Sequence, residues 1–201
     1  MEKETIQVEI PAGKKAAWVD GFLKLVDAEE EQKKDERPIT ERVKTFEDAC
    51  KELGEDHKLV QQFKAIKTAI AEDKEATAYF KLCIITAALN EGWKPDFTND
   101  EEYRYYPWLC LWTNEELEQK TDAWKDERNL QLWLGGVSSY NGAACGLAFA
   151  NSTNAWSYAD AYLSARLAHK TEELAIYSGK QFTELWANYT TGKEVTSWRN
   201  S

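Results

Sequence analysis

The chain opens on a strict alternation: Ile6, Val8 and Ile10 fall on one side and Thr5, Gln7 and Glu9 on the other, the period of two expected of a half-buried strand, with Pro11-Ala12-Gly13 ending it. Ala17-Trp18-Val19 and Phe22-Leu23-Lys24-Leu25-Val26 then flank Asp20-Gly21. A two-residue Asp-Gly connection supplies the positive φ angles of a type I′ turn, so a β-hairpin is predicted there. Two or three strands alone are marginal in water, so this element either docks on a partner surface or remains a mobile appendage. Residues 28 to 37 read Ala-Glu-Glu-Glu-Gln-Lys-Lys-Asp-Glu-Arg, a mixed-charge run with no apolar face closed by Pro38, which marks a boundary.

The period then lengthens. Thr45 with Asp48 has the spacing of a capping box and Gly54 is a left-handed stop, so a helix is predicted between them with Phe46, Ala49, Cys50 and Leu53 as its buried stripe. A second helix is predicted from about Lys58 to Ala71 on Leu59, Phe63, Ile66 and Ile70, and a third from about Ala76 to Glu91. The third keeps almost no polar face, which marks it as the centre of the core. From Trp93 to Trp112 aromatic residues are too dense and irregular for an amphipathic helix, so irregular chain is expected, with a short strand near Leu109 to Trp112. Thr113 with Glu116 caps a short helix ending near Trp124.

Between Leu130 and Ala168 the helical period disappears. Alternation at Leu130-Leu132-Leu134, Cys145-Leu147-Phe149 and Leu163-Ala165-Leu167 predicts three strands, separated by turn-forming stretches at residues 135 to 142 and 151 to 160. A last helix starts at Thr171 and carries Leu174, Ser178, Phe182, Leu185, Trp186 and Tyr189 on one face, with Gly179 implying close packing against a neighbour. The predicted fold is therefore α+β: a hairpin element (1–27), a charged linker (28–44) and one globular domain (45–201) with a helical middle, a small antiparallel sheet and a C-terminal helix.

Charge narrows the partners. The 201 residues carry a formal net charge of −10, and residues 129 to 201 hold five acidic and five basic side chains, so the excess lies wholly in the first two thirds. Nucleic-acid binders gain affinity from basic patches that release counterions, so neither nucleic acid nor an anionic membrane is expected as a partner. No window approaches the roughly 20 apolar residues that span a bilayer, and the charged start lacks a secretory signal, so a cytoplasmic or virion location is expected. Cys50, Cys83, Cys110 and Cys145 form no Cys-x-x-Cys pair and are read as reduced core residues.

The motifs for chemistry are sparse. His57 and His169 have no second ligand at metal spacing and are read in surface or capping roles, Ser138 and Ser139 lack the Gly-x-Ser-x-Gly context of a nucleophile, and the glycines from Gly135 to Gly146 end in no P-loop Lys-Ser/Thr. No catalytic residue, cofactor or metal is expected. Of nine tryptophans, six lie between residues 93 and 156. Most are assigned to packing, while the loop residues Tyr140, Asn141, Asn151, Asn154, Trp156, Tyr158 and Asp160 combine aromatic anchors with adaptable hydrogen-bonding groups, the mixture of a recognition surface.

The run from Leu134-Gly135-Gly136 through Asn141-Gly142-Ala143-Ala144-Cys145-Gly146-Leu147 to Ser164-Ala165-Arg166-Leu167-Ala168 resembles the C-terminal part of C-type-lectin-like folds of phage receptor-binding and variable proteins. It lacks the Glu-Pro-Asn or Gln-Pro-Asp triplet of calcium-binding lectin modules. Over nearly the whole chain, the segments Ile10 to Gly21, Thr45 to Cys50, Ala87 to Trp93, Tyr105-Tyr106-Pro107-Trp108 and Lys180-Gln181-Phe182 resemble an uncharacterised family of gut-bacterial and phage proteins. The resemblance implies a phage or prophage origin. The expected function is a non-enzymatic interaction protein with a protein or glycan partner, a homo-oligomer being compatible. Two alternatives stay open: an intracellular effector or anti-defence protein binding a host protein or small nucleotide, and an enzyme of unknown type.

Overall fold

The computed structural model describes residues 9–19, 22–27, 35–99, 101–133, 146–155, 164–192 and 194–200. Two compact units divide the chain, residues Met1–Arg37 and Pro38–Ser201. In the first, β1 (Lys14–Val19) and β2 (Phe22–Asp27) pair antiparallel with Val19 opposite Phe22, the register that a two-residue connection dictates. Glu9 and Ile10 are not in a strand, and the rest of the expected first strand lies outside the described residues.

The second unit begins earlier than residue 45. Pro38, which has a fixed φ and no N–H to satisfy, precedes α1 (Ile39–Arg42), and its carbonyl accepts from the amides of Glu41 and Arg42 at 2.8 and 3.3 Å. Ile39 and Val43 are both buried in the main core, so the charged run stops at Arg37 because apolar burial starts two residues later.

The helices follow their punctuation. Thr45 and Asp48 form the reciprocal capping box of α2 (Phe46–Leu53), and Gly54 at φ 86° ends it. His57 caps α3 (Lys58–Ile66), which stops before the expected Ala71, in consecutive turns. Asp73 accepts from Ala76 to start α4 (Lys74–Leu89), in which Leu82 through Thr86, Ala88 and Leu89 are all buried. This is the helix surrounded by protein that the sequence predicts: α2, α3 and α8 (Thr183–Thr191) pack around it.

A four-stranded antiparallel sheet has the order β3 (Arg104–Trp112), β5 (Gly146–Ala155), β4 (Gln131–Trp133) and β6 (Val195–Ser197). Thr113 with Glu116 caps α5 (Asn114–Glu118) in a capping box, and Thr121 caps α6 (Asp122–Glu127), so the single short helix expected here is two. Helix α7 (Glu172–Gln181) lies on β3 and β5, and α8 bridges sheet and α4. The expected single C-terminal helix breaks at Phe182. The hydroxyl of Thr183 donates back to the carbonyl of Gly179 at 2.6 Å, a bond that bends helices, and Trp186 Nε1 reaches the buried Ser178 hydroxyl at 3.1 Å.

Two strand expectations need correction. Leu163 to Leu167 is not a strand where described: Ser164 accepts from the amide of Arg166 and starts a 3-10 helix, Ala165–Leu167, after which Leu167, Ala168 and His169 are buried consecutively rather than alternately. Residues 151 to 155 are not a turn. Their Asn-Ser-Thr-Asn run continues β5 because β3, longer than expected, offers Arg104 to Trp108 as partners. A register shift between Trp108 and Leu109 takes up one extra residue of β5, a bulge.

Candidate functional site

The sequence-predicted surface is only partly described. Asn151 is exposed on β5 opposite Trp108, itself 56 % exposed, and Asn154 lies on the same strand opposite Tyr105. Both stand in a paired strand rather than in a recognition loop, since the β3 ladder extends past them. Tyr140, Asn141, Trp156, Tyr158 and Asp160 lie outside the described residues.

The structure points to a different place. Where α2 ends, α3 begins and the C-terminal half of α4 passes, a cleft of about 430 Å³ opens, walled by Leu53, Leu59, Cys83, Ala87, Trp93, Pro95 and Phe97 and closed on one side by the 3-10 residues Ala165 and Arg166. An apolar hollow of this size suits a small molecule. Its outer wall is the segment after α4, and a chain of specific contacts sets that segment. Asn90, 4 % exposed, donates from its side-chain amide to the Ala168 carbonyl at 2.8 Å and accepts from the Lys170 amide at 3.0 Å, tying the end of α4 to the residues after the 3-10 helix. Glu91 (φ 49°) and Gly92 (φ 90°) then turn the chain through the left-handed region. The Glu91 carboxylate accepts from Lys170 and Arg42, and the Lys170 hydrogen bond first, then the two charges and the Arg42 bond, hold its pKa below the usual range.

The wall itself carries aromatic rings. The amide of Asp96 donates to Glu102, and the Asp96 carboxylate accepts from the amide and hydroxyl of Thr98, which lowers its pKa. Inside this turn Phe97 stacks over the guanidinium of Arg104, 4.3 Å from the ring centre, with Glu102 3.7 Å from Arg104 Nε. Arg104 is 1 % exposed, so the cation fixes the ring from within. On the floor, burial pushes the Cys83 thiol up to about 11, more than contact with Tyr79 and the charge of Arg166 bring it down. Cys83 therefore serves as a small apolar surface rather than a nucleophile.

Charge marks this cleft. His57, Lys58, Lys94 and Arg166 line it, and among the described residues no Asp or Glu does, in a chain with 35 acidic and 25 basic residues. His57 Nδ1 accepts from the Leu59 amide at 3.3 Å, so Nε2 carries the proton of the neutral ring. A second hollow of about 340 Å³, between β3 and α8 beside Trp108 and Trp186, has no charged lining residue among those described.

His169, expected in a surface or capping role, is fully buried between β3 and Trp186, and among the described residues neither ring nitrogen finds a hydrogen-bond partner. Burial lowers its pKa to about 4, against a partial opposing pull from the backbone of Tyr105 and Leu167. The sequence signal was misleading because Lys170 and Thr171 beside it are polar, whereas the Tyr105–His169 bridge turns the ring inward. Of the cleft, only the aromatic texture of residues 93 to 97 was visible in the sequence. Lys58, Lys94 and Arg166 are far apart in the chain and converge only through the fold.

Cys50 and Cys110 are free and half-buried, Cys83 free and buried, and Cys145 lies outside the described residues. Among the described residues, no group of three or more His, Cys, Asp or Glu side chains could hold a metal, and no helix is long and apolar enough to cross a membrane. Compared with models of protein families, with curated proteins and with solved structures, the chain gives no match.

Proposed function

We propose that this chain is a non-enzymatic binding protein that holds a small, largely apolar ligand in the cleft between α2, α3, α4 and the Trp93–Phe97 segment. The observation that carries the reading is the preformed aromatic wall: Phe97 is braced on the buried Arg104, and Asn90 anchors the segment to the rest of the core. Among its described residues the lining has no carboxylate or hydroxyl, and its one thiol is held protonated. Calorimetric titration of the full chain with 1-naphthol, repeated on Trp93→Ala, tests it: saturable binding that is lost in the variant is expected, and binding unaffected by Trp93→Ala excludes this cleft.

A second reading keeps the surface expected around residues 136 to 142 and 151 to 160 as a docking site for a protein or glycan, in a C-type-lectin-like setting. What favours it is the exposed Trp108 beside the exposed Asn151 on adjacent strands. Alanine at Trp108 and Trp156 weakening capture of a partner, with the cleft variant unaffected, would separate the two.

A further inference from the structure

The rim of the cleft carries information that its apolar walls do not. Lys58, at the first position of α3, Lys94, in the segment after α4, and Arg166, in the 3-10 helix, come from three separate stretches and line the same opening. Among the described residues none of the three forms an ion pair with a carboxylate. Of the acidic residues close to them along the chain, Glu55 pairs with Lys64 and Asp96 is occupied by Thr98. Arg166 is near enough for its charge to bear on the buried Cys83 thiol. His57 lines the same opening.

In a protein of net charge −10, three cations gathered around an apolar hollow with no carboxylate among its described lining residues form a local reversal of the overall field. Low-dielectric walls strengthen such a field at the mouth of a cleft and select for ligands of the opposite sign. We infer that the ligand of this cleft is an amphiphilic anion, with an aliphatic or aromatic body on Trp93, Phe97 and Leu59 and one carboxylate or phosphate head at Lys58, Lys94 and Arg166. This inference rests on the cleft being the binding site and adds the chemical class of what enters it. Exposed single charges each contribute little, whereas three converging on one head group act together.

The experiment compares isosteric probes on the intact chain at low ionic strength: neutral 1-naphthol against 1-naphthoate and 1-naphthyl phosphate, by calorimetry. Both anions are expected to bind roughly tenfold more tightly than naphthol, about what three exposed ion contacts supply. In the triple variant Lys58→Gln, Lys94→Gln, Arg166→Gln that preference, read as the ratio of anion to naphthol affinity, is expected to disappear. All three side chains are exposed, and unchanged circular dichroism checks that the variant is folded. Whichever anion binds more tightly names the head group. Naphthol binding as tightly as the anions, or a preference that survives in the triple variant, overturns the inference and leaves the cleft reading standing. No binding of any probe at millimolar concentration overturns the cleft reading, and the inference with it.

Discussion

Gly179 of α7 and Phe149 of β5 approach so closely that a methyl group on the glycine would lie 2.5 Å from Phe149 Cδ2 and 2.6 Å from Cε2. Pro107 Cβ, on β3, would be 2.8 Å away on the same side. The helix therefore seats on the sheet through a missing side chain, and both neighbours are anchored in paired strands. Gly179→Ala is expected to destabilise the second unit by about 1–3 kcal/mol, the usual effect of overpacking a filled core. Thermal unfolding checks it, and Phe149→Leu combined with Gly179→Ala should recover part of the loss.

Asn90 links the end of α4 to the segment at residues 168 to 170 through two hydrogen bonds, both on backbone groups. Asn90→Ala leaves a buried carbonyl and an amide without their partner, at about 1–3 kcal/mol for each group left unsatisfied. Urea denaturation should show the loss. Because the same link positions Trp93, naphthol affinity should fall in Asn90→Ala even under conditions where the variant remains folded.

His169 sets a pH dependence whose sign is fixed. Its ordinary value of 6.5 falls to about 4 in the fold, so between those values the unfolded chain takes up a proton that the native state refuses. Stability from this group is whole above pH 6.5 and is lost as pH falls towards 4, on the order of 3 kcal/mol in all. His169→Leu should flatten the stability profile across that window. The depressed carboxylate of Glu91 acts lower, since its contribution disappears only as pH falls through the acidic range, and it should persist in the variant.

Cys83 offers a direct reading of burial. With the thiol raised to about 11 and the residue 1 % exposed, native protein at pH 7.5 should leave it unmodified by iodoacetamide. Peptide mapping after brief labelling, with and without urea, checks this; modification of Cys83 in the native state would mean the cleft floor opens.

Legibility followed the range of the interactions involved. Capping boxes at Thr45–Asp48 and Thr113–Glu116 act within one turn, and both are present as the sequence predicts. The buried helix α4 was equally legible, because an element apolar all round has only one place to go. The errors fell where distant partners decide. Asn151-Ser152-Thr153 has turn chemistry yet forms strand because β3 pairs with it, and Leu163 to Leu167 alternates yet gives way to a 3-10 helix where Ser164 caps it. β6 has three residues, too few for any periodicity, and exists as an edge to β4. The site was the least legible part, since its cations share no segment and its wall depends on Arg104 beneath Phe97, a contact that no spacing rule announces.

The burial of α4 also bears on how the chain is made. Its main helical neighbour, α8, lies about a hundred residues further on, which at the usual 5–20 residues per second means roughly 5–20 s of synthesis. During that interval a finished helix with no polar side waits at the ribosome with its closest partner unmade. Nascent chains of this protein should therefore depend on holding chaperones far more than the finished molecule does.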